Sequence, residues 1–479
     1  MKKEAFLTLF FLSAFFIPLF SQTSWETAVK EATDSSLPLV HLEVDVAQLS
    51  KENYTPGRIT IFDPERRTEG RLSSSFCCKV RYRGATSLRY EKKSFAVKLL
   101  DENGENLDAN VLGIRNENDW ILDAMAIDRI RMRNRVCFDL WNEMNRTPYP
   151  TDYDNRNGTA GEFVEVFLNG EYHGLFCLSD KIDRKLLGLK KARVNDDGTI
   201  YIRGVLYKGN TWSNATQLWG YDAGAPTTGD TWEGWELQHP DDYPCREAWQ
   251  PLMNLIDFCA TENETFWQDL HSHFYQDNLI DFGLFLMGLN IIDNILKNAF
   301  LSCPDTQVDG RFLITPWDLD CSLGGLYDGS HYVKYATWDN LLHCRLYWFL
   351  YEHEGEFRTA MGKRWKELSA GILSQDNVER HLDHYADRFR ASGAWQREKD
   401  RWEQNPVPLD LDSELDYVKE WYATNRAGLD SLFEVETGIH QLLSPGFNDG
   451  STYLIDGRRV TGHPSQRGIY IRKGRKFVR

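Results

Sequence analysis

The dominant hydrophobic period of this chain changes near Arg246, and that change limits the folds open to it. Before that point the apolar residues come in short β-like runs, at 37–44, 58–62, 77–82, 94–100, 163–168 and 172–178. Asn169-Gly170 separates the last two, the strongest short hairpin signal in the chain. After Arg246 helical spacing dominates, over 246–260, 265–274, 277–297, 340–352, 354–371, 376–392 and 411–433. One earlier helix opens at Asp128, a first-turn or capping acid, and runs to about Met144; 181–189 reads as a short second one. Strands followed by helices define an α+β chain, with a β-rich region over 35–190 and a helical region over 191–435. A small β tail follows at 445–479, with short strands joined by Asp456-Gly457 and Lys473-Gly474 turns.

Length and charge narrow the function. With 479 residues the chain can bury a large core, and 42% hydrophobic with 26% charged residues is a globular balance. A formal charge of -16 argues against a nucleic-acid binder, which would show a basic face. A nucleotide remains compatible if Mg²⁺ and a few local lysines neutralise its phosphates. Lys2 and Lys3, the apolar run from Ala5 to Phe20 broken by Pro18, and the small polar exit Ser21-Gln22-Thr23-Ser24 read as a signal peptide over 1–22. The expectation is a secreted, cell-surface or periplasmic protein with no integral membrane segment in the mature chain. The nine cysteines include no C-x-x-C pair, which excludes a zinc ribbon, and an odd count leaves at least one thiol unpaired in a monomer.

The chemistry concentrates between Asn290 and Gly325. An apolar run delivers Asp293, with Asn298 five residues later. The β-like 312–314 then leads into Pro316-Trp317-Asp318-Leu319-Asp320, with Gly324-Gly325 beyond. Phosphoryl transfer needs such equipment: one Asp for the attacking hydroxyl, an Asn and a second Asp for Mg²⁺, and glycines where the backbone folds back. Upstream, Arg83-Gly84-Ala85-Thr86-Ser87 is either a hairpin turn or a loop laid against phosphates. Lys98 is either a solvated strand residue or a phosphate contact. Asp281-Phe282-Gly283 lies in a helical pattern and is a decoy. The excursion from Gly209 to Tyr243 reads as irregular, and its Trp212, Trp219, Trp232 and Trp235 either pin a long loop or stack sugars.

Several segments together resemble the CotH family of spore-coat-type atypical protein kinases. They are R-G-A-T-S (Arg83 to Ser87), K-K-S-F-A-V-K-L (Lys92 to Leu99), A-I-D-R-I-R-M-R-N, E-V-F-L-N-G-E-Y-H-G-L-F, W-x-G-W-E and P-W-D-L-D-C-S-L-G-G. The likeness implies a divergent protein-kinase-like fold, with a β-rich N-terminal lobe and a mostly helical C-terminal lobe, that uses ATP and Mg²⁺ or Mn²⁺ on a protein substrate. By position, Asp293 is the implied catalytic Asp, Asn298 and Asp318 the metal ligands, and Asp320 their support. Arg83, Gly84 and Ser87 fall in the implied phosphate loop, with Lys93 and Lys98 competing for the phosphate contact. Asp180 stands where many relatives carry Glu. Transfer of AMP or another group from the same triphosphate is a variant on this site. The alternative is a non-catalytic surface scaffold that grips glycan or coat. The last segment resembles type IX secretion sorting signals ("GRRV … GIYI"), which implies contact with secretion machinery.

Overall fold

A computed structural model describes residues 24–261 and 265–443, together with 452–454, 459–460, 469–472 and 475–478. The expected signal peptide and both turns of the tail lie outside the described residues. The first half runs α1 (Trp25–Glu31), β1 (Leu39–Val44), β2 (Thr55–Phe62), β3 (Ser73–Arg83) and β4 (Ser94–Leu100). A short ladder, β5 (Ala109–Asn110) with β6 (Asn116–Glu117), precedes β7 (Asp119–Asp123); α2 (Arg133–Met144) and the hairpin β8 (Gly161–Leu168) and β9 (Glu171–Ser179) follow.

These strands close into a seven-stranded barrel in the order β1-β2-β3-β4-β7-β9-β8. Every pairing is antiparallel except β1 with β8, where Leu39 to Leu42 run parallel to Glu165 to Leu168 and close the ring. Closure leaves no open strand edge. Alternate residues fill the interior, among them Val40, Ile59, Val80, Val97, Leu122 and Val166, all at most 2% exposed. The period-2 pattern therefore sets which side chains face out: on β3, Lys79 and Arg81 lie between inward Cys78, Val80 and Tyr82.

The second half is built on a five-stranded sheet, in the order β13-β14-β12-β15-β16, that helices cover. After the small hairpin β10 (Arg193–Val194) and β11 (Ile200–Tyr201) come β12 (Val205–Gly209), β13 (Thr231–Trp232) and β14 (Trp235–His239). Then follow α3 (Arg246–Ala260), α4 (Phe266–Leu270), α5 (Gln276–Gly288), β15 (Ala299–Cys303) and β16 (Leu313–Pro316). Helices α6 (Arg345–His353), α7 (Gly355–Ala370), α8 (Gln375–Ala391), α9 (Ala394–Trp402) and α10 (Leu411–Leu443) complete the layer. α5 is buried on every side, which explains why its sequence is apolar almost throughout. In the tail, the strand segments at 452–454, 459–460, 469–472 and 475–478 pair as an antiparallel four-stranded sheet.

Several elements differ from expectation. The helix expected to reach 297 stops at Gly288: the Leu289 N–H turns back to Phe285 and Met287, and Asn290 takes a left-handed φ of 46°. The apolar residues beyond it are buried as an irregular loop, so hydrophobicity there reports burial and not helix. The expected irregular excursion contains the β13–β14 hairpin, and its Trp232 and Trp235 are 3% and 1% exposed, packed in the core. Residues 184–188 form turns instead of a helix, and α9, rich in charge, had no apolar period to announce it.

Candidate active site

A cleft of about 820 Å³ separates the mouth of the barrel from the five-stranded sheet. It is lined by Arg83, Gly84, Ser87, Asp293, Asn298, Asp318 and Asp320, and also by Asp123, Lys208 and Lys297. Thus seven of the nine positions singled out in the sequence converge on one cavity.

The loop after α5 delivers Asp293. Asn298, at φ 53°, is fixed between two strand ends: its N–H donates to Gly209 O (2.9 Å), and its carbonyl accepts from Trp317 N (3.0 Å). Its side-chain amide donates to the Asp293 carboxylate (3.1 Å), and Lys297 forms an ion pair with the same carboxylate. Lys297 also lies 5.5 Å from the centroid of the Trp212 ring. Only a glycine fits at 209, because a Cβ there would stand 2.0 Å from the Leu296 carbonyl oxygen. The loop is therefore held by the end of β12, not by helical bonding.

β16 ends at Pro316, and the chain turns through Asp318 at φ 58°. Asp is among the few non-glycine residues that enter the left-handed region readily, so the turn forms there without a glycine. Leu319 N donates to Asn134 Oδ1 (3.0 Å), which ties this turn to α2. Asp318 reaches solvent inside the cleft, yet protein surrounds it. That partial burial raises its pKa, as do the carboxylates of Asp123 and Asp293, while Arg83 and Lys208 oppose the shift. Among the described residues its carboxylate has no hydrogen-bond or ion-pair partner. Asp320, deeper, is pushed well up by burial and by the neighbouring Asp318 and Asp123. Asp123 ends β7, accepts from Ser94 Oγ (3.2 Å), Met125 N (3.2 Å) and Asn134 Nδ2 (3.1 Å), and presents a third carboxylate from the barrel side.

Opposing charge comes from both halves. Arg83, at the end of β3, sits 5.5 Å from the Trp317 ring centroid, and Lys208 of β12 sits 5.9 Å from it. Gly84 has φ 113°, and a Cβ on it would collide with Ser87 Oγ at 2.1 Å, so the loop folds tightly against its own serine. Burial lowers the pKa of Lys208, opposed by Glu236.

Lys93 and Lys98 do not line the cleft. Lys93 donates to Leu88 O (2.8 Å) and Tyr90 O (2.6 Å) and braces the 84–90 loop from behind. Lys98 points outward, 3.3 Å from Asp119. The cleft lysines are Lys51, Lys92, which is committed to a buried pair with Glu398, Lys208 and Lys297. Sequence reasoning passed over Lys208, Lys297 and Asp123. The one available signal was Lys297 itself, four residues after Asp293. Asp281 of the decoy motif is buried in α5 and bound to Arg364 (2.8 Å), and Asp180 is buried against Arg156 and Arg115.

A single cleft with carboxylates on its floor and cations on two walls suits a phosphate-bearing ligand that carries a cation of its own. No curated protein matches the chain. Residues 80–429, a span holding every residue that lines this cleft except Lys51, match the family described as CotH kinase protein, and the chain belongs to that family.

Proposed function

We propose that this chain is an exported, kinase-like phosphotransferase that moves the γ-phosphoryl group of ATP to a Ser or Thr hydroxyl of a protein substrate. The observation that carries the reading is the convergence of the Asp293–Asn298 loop and the separate Asp318 turn on one cleft, with Arg83 and Lys208 facing them.

The donor set fits Mg²⁺ or Mn²⁺. Among the described residues no group of three or more His, Cys, Asp or Glu side chains is poised as a complete metal cage. Mg²⁺ bound with nucleotide does not need one, since one or two carboxylates plus phosphate oxygens and water complete its shell. Asp318, without a partner among the described residues, and the Asn298 amide oxygen are the groups to hold it, with Asp320 behind. When bound, the metal neutralises charge on the transferring phosphates.

The chain's own residues do the rest. Asp293 accepts the proton of the acceptor hydroxyl as its oxygen bonds to the γ-phosphorus and the bond to the β-phosphate oxygen breaks, releasing ADP. Lys297 and Asn298 fix the Asp293 carboxylate in orientation. Arg83 and Lys208, stacked at Trp317, bind phosphate oxygens from opposite walls. The kinase-like division into two lobes corresponds in this reading to the barrel and the helix-covered sheet. Export rests on the basic-then-apolar start of the sequence.

The test is transfer of label from [γ-³²P]ATP with Mg²⁺ to added protein, for the wild type and for Asp318→Ala. Labelling by the wild type alone is expected; equal labelling removes Asp318 from the reaction, and none from either removes the reading.

A further inference from the structure

The outer face of β3 carries Lys79, Arg81 and Arg83 at every second residue, and Arg81 and Arg83 both line the cleft. At 3.2–3.4 Å per residue these charges repeat about every 6.7 Å, so the row is about 13 Å long and ends at the site. Lys98 of β4 lies directly opposite Lys79 in the ladder. Like charges in that position destabilise a sheet. Asp119 answers Lys98 (3.3 Å) but is shared with Lys181 (2.7 Å). Among the described residues neither Lys79 nor Arg81 has a carboxylate partner; both lie instead over Tyr54, 5.7 and 4.7 Å from its ring centroid. Arg81 Nε is without a hydrogen bond. Arg81 Nη1 donates to Lys51 O (3.4 Å), but neither that bond nor the packing on Tyr54 neutralises charge, so a chain of net charge -16 keeps Lys79 and Arg81 on one strand without a carboxylate among the described residues.

We infer that this row is a docking track for an extended acidic segment of the protein substrate, with carboxylates at alternate positions. An extended peptide repeats its side chains at the same pitch as β3, so successive carboxylates meet Lys79, with Lys98 beside it, and then Arg81, while the acceptor hydroxyl enters the cleft past Arg83. A compact anion would engage one or two of these cations and leave the row unmatched. The identity of the occupant as substrate rests on the phosphotransferase reading; the track itself does not.

The experiment is fluorescence anisotropy on the full chain with a labelled twelve-residue peptide alternating Glu and Ser, its Gln-for-Glu counterpart, and a labelled oligothymidylate. Binding of the Glu peptide that weakens steeply between 50 and 300 mM salt is expected, with the Gln peptide at least tenfold weaker. Lys79→Glu/Lys98→Glu is expected to cost about tenfold at low salt, the effect of two exposed ion pairs reversed, whereas Lys366→Glu on the exposed side of α7 leaves binding unchanged. Equal affinity for the two peptides, or an unaltered double variant, overturns the track. Tighter binding of the oligothymidylate, or full displacement of the peptide by Mg-ATP, reassigns the row to polyphosphate and overturns it too. Should the double variant not fold, the two-peptide comparison on the wild type still decides. Label transfer from ATP is measured on the same preparations, so an inactive protein that binds acidic peptide sinks the kinase reading alone, and an active one indifferent to peptide charge sinks the track alone.

Discussion

Lys92 Nζ and Glu398 Oε1 lie 2.7 Å apart with both side chains fully buried, although 306 residues separate them. Arg131 Nε donates to the same oxygen (2.7 Å), and Lys92 also donates to Leu175 O (2.5 Å). Arg131 meanwhile holds the carbonyls of Met125, Ala126 and Asp128, which form the cleft wall. One carboxylate on α9 therefore fixes the barrel, the wall loop and the helical layer together. Burial pushes the Glu398 pKa up, but Lys92, Arg131 and the Leu175 N–H outweigh it, and the group stays ionised.

Removing that carboxylate leaves Arg131 a buried cation without its counter-charge, beside a Lys92 whose pKa burial already lowers to about 7. Glu398→Ala is expected to destabilise the protein by about 3–5 kcal/mol, read by urea unfolding. Glu398→Gln keeps the shape but only one of the two acceptor oxygens, so its NH2 faces either the Leu175 N–H (2.8 Å from Oε2 in the wild type) or the Lys92 and Arg131 donors. It is expected to lose more than 2 kcal/mol, about half that cost or more, because it removes both the charge and an acceptor. A loss below about 1 kcal/mol for both would show the triad to be neutral.

Asp318 presents the opposite case, a carboxylate whose neighbours are mostly carboxylates. Without metal its charge is unfavourable, so Asp318→Asn is expected to keep or raise Tm by about 1–3 °C in chelator-treated buffer. With Mg-ATP the order reverses: the wild type gains stability by ligand binding and the variant does not. Identical shifts in the two proteins would place the nucleotide elsewhere.

Sequence alone revealed the parts of this architecture that depend on local period. Alternating runs became β1 to β4, β8 and β9, and 246–260 became α3 to the residue. Closure of the barrel was hidden, because it depends on a parallel pairing of Leu39–Leu42 with a strand more than 120 residues later. Site residues on loops of special composition, such as Pro316 to Asp320, were visible; Asp123 and Lys208 were not, being single charges at ordinary strand ends. The lysines show the limit most clearly. Lys92, Lys93 and Lys98 lie within seven residues, and side-chain direction sends Lys92 inward, Lys93 to the back of a loop and Lys98 to the outer face.

Gly209 sets the position of the Asp293–Asn298 loop. Because an added Cβ would sit 2.0 Å from Leu296 O, Gly209→Ala must push that backbone aside by about an ångström or break the Asn298 N–H to Gly209 O bond. A misplacement of that size costs about 10²-fold in rate. The expected result is a kcat for label transfer reduced about a hundredfold with the KM for ATP changed less than threefold. Unchanged kcat would mean that the loop's position does not matter to the reaction.

His173 gives the fold a dependence on pH. Its ring stacks on Phe176 (centroids 5.7 Å, 19°), lies edge-on to Trp402 (5.7 Å), and sits 6.0 Å from Phe95. Burial against these rings pushes its pKa down from the usual 6.5 to about 4, and the positive charges of Lys92 and Arg401 push the same way. The folded state thus favours the neutral ring. Its contribution to stability is complete above about pH 6.5, where the unfolded histidine is neutral too, and is lost as pH falls toward 4 and the unfolded form takes up a proton that the folded form resists. At about 1.4 kcal/mol per pKa unit, the loss by pH 5 is about 1–2 kcal/mol. Urea unfolding of wild type and His173→Gln at pH 7.5, 6 and 5 isolates this group, since other titrations cancel in the difference. The variant is expected to be less stable at pH 7.5, with the gap closing by about 1–2 kcal/mol at pH 5. Parallel stability curves would mean that the ring titrates normally in the folded protein.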